Sequence, residues 1–187
     1  MEFSFNEIAT VTLTLFAIID IVGTVPLIIS MRQKLGHIQS EKATAAAGSL
    51  MILFLFFGEQ LLRLIGIDLA SFAIAGSIVI FILGLEMILG INLFRPDPND
   101  EAGSVVPIAF PIIAGSGTLT TIISLKAVYT VPNILAGIIL NLTFIYIVLK
   151  STGFIERKLG KGGLAVVRKF FGIILLSIAV KLFKGNI

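Results

Sequence analysis

The chain has 187 residues, of which 57% are hydrophobic and 13% charged, with a formal net charge of +3 and a mean hydropathy of +1.07. Soluble globular domains carry about 25% charged and about 45–50% apolar residues, so this much apolar surface excludes a single water-soluble core and requires a bilayer as solvent. The lack of cysteine excludes a disulfide frame, a thiolate metal site and a cysteine nucleophile.

The start, Met1-Glu2-Phe3-Ser4, lacks the basic region of a cleavable signal, and the apolar run Ile8–Met31 is too long for one. It is expected to remain as the first span, interrupted by Asp20, Gly23 and Pro26. His37, the single histidine, falls between charged residues in an expected solvated loop, so no metal site is expected. A second span runs from Ala43 to Ile65, with Glu59 and Arg63 at i,i+4 spacing for an interfacial pair. Leu69–Phe94 is the third and carries Glu86. Val105–Leu125, rich in Pro, Gly, Ser and Thr, is the fourth; Pro132–Leu149 and Leu164–Phe183 are the fifth and sixth, with Lys181 snorkelling. Each run is about the 17–25 residues that cross the hydrocarbon as a helix. Their continuous apolarity does not fit the alternating strands of a membrane barrel. The expectation is an all-α polytopic membrane protein, a single transmembrane domain of six helices with almost no soluble domain.

The pI near 9.3 does not call for nucleic acid, because the Lys and Arg residues cluster at the ends of apolar runs. With the N-terminus outside, ten basic residues fall on the cytoplasmic side (Arg32, Lys34, Lys42, Arg95, Lys150, Arg157, Lys158, Lys161, Arg168 and Lys169), against Arg63, Lys126, Lys181 and Lys184 outside. The positive-inside rule favours both termini outside, with the loop Arg95–Glu101 cytoplasmic.

Phe16–Ser30 (FAIIDIVGTVPLIIS) laid over Phe110–Ser124 (FPIIAGSGTLTTIIS) at an offset of 94 matches at eight of fifteen positions. Chance in so apolar a window gives roughly two. Leu93-Phe94 and Leu182-Phe183 close the two halves alike. The implied repeats cover about 8–94 and 105–183 with three spans each; an odd number, so the copies are expected to lie inverted in the membrane. Transporters on that plan hold their substrate near the midplane, at broken helices of both halves. Gly23 and Pro26 in the first span, and Pro111, Gly115 and Gly117 in the fourth, mark those breaks.

Asp20 lies deep in the first span, where an ionisable side chain costs about 2.5–3.5 kcal/mol on insertion scales. It could cap the half-helix after the break through amides near Val22 and Gly23, or bind a cation, an ammonium or a proton; the roles are compatible. Glu86 could be a proton-coupling carboxylate or a hydrogen-bonded core residue. Gly115-Ser116-Gly117-Thr118 could free amides at a half-helix N-terminus for a carboxylate, or only let helices approach closely. Thr120, Thr121, Asn141 and Thr143 read as interhelical glue. An ammonium at Asp20 and a carboxylate at Gly115–Thr118 would suit a small zwitterion. The candidate substrate-binding set is Asp20, Gly23, Thr24, Pro26, Pro111, Gly115, Ser116, Gly117 and Thr118, with Asp20 and Glu86 as candidate proton relays. No nucleophile–base pair, phosphate-binding loop or metal-ligand spacing is present in the sequence, so neither an enzyme nor a cofactor is expected.

At the two break motifs the sequence resembles the MarC family of six-span membrane proteins, in a wider group of small exporters that includes lysine exporters. Asp20-Ile21-Val22-Gly23-Thr24-Val25-Pro26 is similar to that family's Asn/Asp-Pro-x-Gly-x-x-Pro, and Phe110-Pro111-Ile112-Ile113-Ala114-Gly115-Ser116-Gly117 to its Pro-x-x-x-Gly-Pro-Gly. Ile21 and Ser116 depart from it by replacing prolines. The resemblance implies a carrier of small neutral amino acids in the bacterial inner membrane; a small substrate, the bilayer and a coupling proton are the expected partners, and the sequence leaves a homo-oligomer open. A channel would need a continuous polar stripe, which these spans lack. An accessory protein would tolerate changes at both glycine motifs.

Overall fold

The computed structural model describes residues 3–35, 38–91 and 105–187, and among these it is helical, without strands. Ser4 opens α1 (Phe5–Ile19) by accepting from the Glu7 amide. After a break of one residue, α2 (Ile21–Leu35) continues at a bend of 40°. The expected first span is therefore two half-helices that together are long and apolar enough to cross.

The next hairpin is written in its turn residues. α3 (Ser40–Ile65) ends at Gly66 in the left-handed region (φ 76°). The Ile67 amide reaches back to the Leu62 carbonyl, completing a Schellman motif. Asp68 then caps α4 (Leu69–Leu89), accepting from the Ser71 amide at 2.8 Å and its hydroxyl at 2.6 Å. These two bonds hold the Asp68 carboxyl below its ordinary pKa. Glu59 and Arg63 pair as their spacing predicts, at 2.5 Å. α4 stops at Gly90 (φ 68°), short of the expected Phe94. Leu93-Phe94, the loop Arg95–Glu101 and His37 lie outside the described residues.

The fourth apolar run is more broken than its length suggests. A single turn, α5 (Val105–Pro107), widens into a π-type turn, Ile108–Ile113, which Phe110 interrupts with extended backbone before a cis bond to Pro111. α6 (Ser116–Leu125) follows. The last helical stretch, Val131–Lys184, is divided at Gly160 (φ 61°, ψ 176°), a conformation open essentially to glycine alone. It comprises α7 (Val131–Gly160) and α8 (Gly162–Lys184). α7 outruns its expected end at Leu149, passing through the weak helix formers Ser151, Thr152 and Gly153 into Glu156, Arg157 and Lys158, which favour a helix.

Four helices, α3, α4, α7 and α8, have the length and apolarity of membrane spans, and the bent α1–α2 pair makes a fifth. The fourth run reaches that length only as α5, the π-type turn and α6 together. The core draws on every part of the fold: Val11 and Leu15 of α1, Met51 and Leu55 of α3, Ile122 of α6 and Ile138 of α7 are all buried in it. Lipid tails are as apolar as these side chains, so helix association here rests on close packing and interhelical hydrogen bonds. α4 meets α8 where Gly84 and Gly172 face each other. A methyl group added at either would come within 3.1 Å of the other's carbonyl oxygen. Asn141 of α7 donates to the Thr12 carbonyl of α1 and to the Gly137 carbonyl of its own helix.

Candidate functional site

Asp20 is the one residue between α1 and α2, and it serves both. Its backbone is left-handed (φ 43°, ψ 48°), the only non-glycine residue at positive φ among those described. Asp and Asn are the side-chain types that visit this region most readily. The Asp20 amide closes α1 on the Phe16 carbonyl at 3.1 Å. Its carboxylate Oδ1 accepts from the Gly23 amide at 3.1 Å, capping α2. A Cβ on Gly23 would collide with that carboxylate, so glycine is what lets it fold back over the helix end. The capping role expected of Asp20 is thus realised at Gly23. Pro26, buried in α2, denies Val22 its i+4 amide and adds to the weakness of this region.

At the offset of 94, Asp20 corresponds to Ala114, and Ala114-Gly115 is where the fourth run breaks. Gly115 is the N-cap of α6, extended and without a side chain to cap it. Its own Cβ would strike the Pro111 carbonyl oxygen. One break therefore carries its own carboxylate cap, and its counterpart has none.

A cavity of about 40 Å³ lies against the first break, room for about three waters. Among the described residues, Asp20 and Thr24 are the polar side chains that line it; Pro111 and Ile112, just before the second break, line it too, with Leu83 of α4 and Leu175 of α8. Thr24 is buried and its hydroxyl donates to the Ile21 carbonyl at 3.0 Å.

The sequence profile of the family described as "MarC family integral membrane protein" matches residues 5–187. The chain belongs to the MarC family. It is 32% identical to a UPF0056 membrane protein of Pyrococcus abyssi, over 92% of this chain and 90% of that one. It is 30% identical to the UPF0056 membrane protein YvbG of Bacillus subtilis, over 96% and 92% of the two chains. With the UPF0056 inner membrane protein YhgN of Escherichia coli it shares 29% identity over 97% and 96%. No solved structure matches it.

Both departures from the MarC pattern fall on the first residue of a helix. Ile21 opens α2 and Ser116 opens α6. Proline at that position presets the helix rather than interrupting it. The breaks persist here without it, held by the left-handed Asp20 and the extended Gly115.

Of the residues singled out in this MarC sequence, Asp20, Thr24 and Pro111 meet at the cavity. Gly23 supplies the capping amide. Ser116, Gly117 and Thr118 stand behind the wall: Ser116 packs on Gly76 of α4, Gly117 faces Ile18 and Leu182, and the Thr118 hydroxyl donates to the Ile113 carbonyl. Ile18 both lines the cavity and packs on Gly117, so it touches the cavity and the start of α6 alike. Glu86 is buried in α4 and does not line the cavity. The apolar walls contributed by α4 and α8 carry no sequence signal, being apolar residues on apolar helices. The buried Asn133 was also missed; it ties the chain start to α7 by accepting from the Ser4 amide and donating to Glu7 at 2.6 Å.

Proposed function

We propose that this MarC protein is a secondary transporter that moves a small neutral amino acid, or a metabolite of similar size and charge, across the inner membrane. The observation that carries the reading is the pair of helix breaks at corresponding positions, residue 20 and residues 114–115, with a cavity lined by Asp20 at the first and by Pro111 and Ile112 just before the second. Ionisable residues inside a membrane mark substrate and ion pathways, and paired broken helices are where inverted-repeat transporters bind. On this reading α1–α2 and α5–α6 are equivalent bent spans of two inverted three-span repeats, and both chain termini lie outside.

The charges divide between the breaks. Asp20 takes the positive group, the substrate amine or the coupling proton. The uncapped start of α6, whose first amides have no carbonyl within the helix to bond, takes the carboxylate once Ile18 moves aside. Glu86 serves as a relay. Access alternates as the repeats move against each other about the two breaks. The fold does this as a transporter rather than as an enzyme.

Counterflow of labelled glycine, alanine and serine in proteoliposomes tests the reading. Saturable exchange by the wild type, abolished in Asp20→Asn at equal incorporation, is expected. Asn also tolerates the left-handed backbone and accepts from an amide, so the break survives that change. Wild-type exchange in Asp20→Asn removes Asp20 from the mechanism, and no exchange of any of the three by folded protein removes amino acids as the substrate class.

A further inference from the structure

The cavity at the first break has a one-sided chemistry. Among the described residues its polar side chains, Asp20 and Thr24, present acceptors. The Thr24 hydroxyl proton is committed to the Ile21 carbonyl, which leaves oxygen lone pairs for anything else. The Asp20 Oδ1 atom holds the Gly23 amide, and no Lys or Arg lines the cavity or pairs with Asp20 among the described residues. The end of α1, at Ile19, also borders the cavity. A helix C-terminus carries partial negative charge on carbonyls that have no further amide of their helix to bond.

We propose that this cavity is a binding site for a small monovalent metal cation, of the size of sodium, which acts as the coupling ion. The proposal rests on the transport reading above and changes one part of it: the ion at Asp20 is a metal cation, taking the place of the coupling proton and distinct from the substrate amine. The single carboxylate matches a single positive charge, and among the described residues no group of three His, Cys, Asp or Glu side chains could hold a divalent ion. The size points the same way. Space for about three waters accepts a partly hydrated monovalent ion, whereas an amino acid needs the wall at Ile18 to open. Asp20 Oδ2, Thr24 Oγ1 and water supply the ligands, with the terminal carbonyls of α1 completing the shell. Half-helix C-terminal ends serve this purpose in other broken-helix transporters.

Binding is read without transport. Purified protein in detergent is heated in sodium chloride or choline chloride at constant ionic strength. A saturable rise in Tm with sodium is expected for the wild type, lost in Asp20→Asn and shifted to about tenfold higher sodium in Thr24→Val, roughly the loss of one ligand contact. Direct binding of radioactive sodium to the wild type, expected at one ion per chain, keeps the test independent of how the variants fold. Equal Tm in sodium and choline, an unchanged sodium response in Asp20→Asn, or stabilisation by protons alone overturns the proposal. A sodium response without amino acid counterflow keeps the cation site and defeats the amino acid reading. Counterflow with no sodium response does the reverse.

Discussion

At residue 20 two demands coincide, because the backbone must turn left-handed and the side chain must cap the helix that follows. Gly23 meets the steric half of this arrangement, leaving the space that the Asp20 carboxylate fills. Gly23→Ala is therefore expected to swing the carboxylate off its cap. The lost cap costs about 0.5–2 kcal/mol, and transport falls with it, while the protein still inserts in the membrane. Thermal unfolding in detergent beside the counterflow assay checks both; unchanged Tm and unchanged exchange would show that the cap is dispensable. Asp20 could be found in the sequence because charge is rare inside apolar runs, and Gly23 and Gly117 because they match at the offset of 94. What the sequence did not convey is that Ser116 turns toward Gly76, its hydroxyl buried without a hydrogen-bond partner among the described residues. Side-chain direction there depends on how α6 lies against α4, which no local spacing encodes.

Among the elements, the helix pairs are set by small residues and by amides that cross between helices. Gly172 faces Ile88 and Gly84 so closely that an added methyl would lie 2.7 Å from Ile88 Cγ1. Gly172→Leu is expected to force α4 and α8 apart, at a cost of about 1–3 kcal/mol for overpacking. A lowered Tm with an intact helical circular dichroism signal is the expected record. Asn141→Leu removes the bond to Thr12 between α7 and α1; interhelical bonds in membranes average about 0.6 kcal/mol, so its Tm should fall less than that of Gly172→Leu. The reverse order would mean that polar bonds rather than close approach hold the bundle. Helix identity and the turn between Ile65 and Leu69 were legible from apolar length, whereas α4 stops at Gly90 before the expected Phe94 and α7 runs past Leu149. The division at Gly160 was not, because one glycine among Gly160, Gly162 and Gly163 gives no sign of which will leave the helical region. The fourth run was legible as broken, though not as a three-residue turn, a π-type turn and a ten-residue helix.

For the whole molecule, the number of crossings decides which faces the two ends occupy. If the α5–α6 run crosses, as the transport reading requires, six crossings put both ends on one side; without it, five put them on opposite sides. The chain contains no cysteine, so Phe3→Cys, Asn186→Cys and Lys158→Cys can be labelled one at a time with a membrane-impermeant maleimide. Labelling of the first two from outside intact cells, and of the third only after permeabilisation, is expected. Opposite accessibility of Phe3→Cys and Asn186→Cys would rule out the inverted repeat. The contacts along α7 add a mechanical constraint. The bent pair α1–α2 is held to α7 near one end through Ser4, Glu7 and Asn133. Near the other end, Gln33 donates to Glu156 at 2.9 Å, and Arg32 lies over Gly153 and 3.9 Å from the same carboxylate. Asp20 falls between these fastenings. A beam pinned at both ends and jointed near its middle has one easy mode, a sideways bow at the joint. Its stroke there is short, so a movement of one whole repeat against the other has to open a fastening as well.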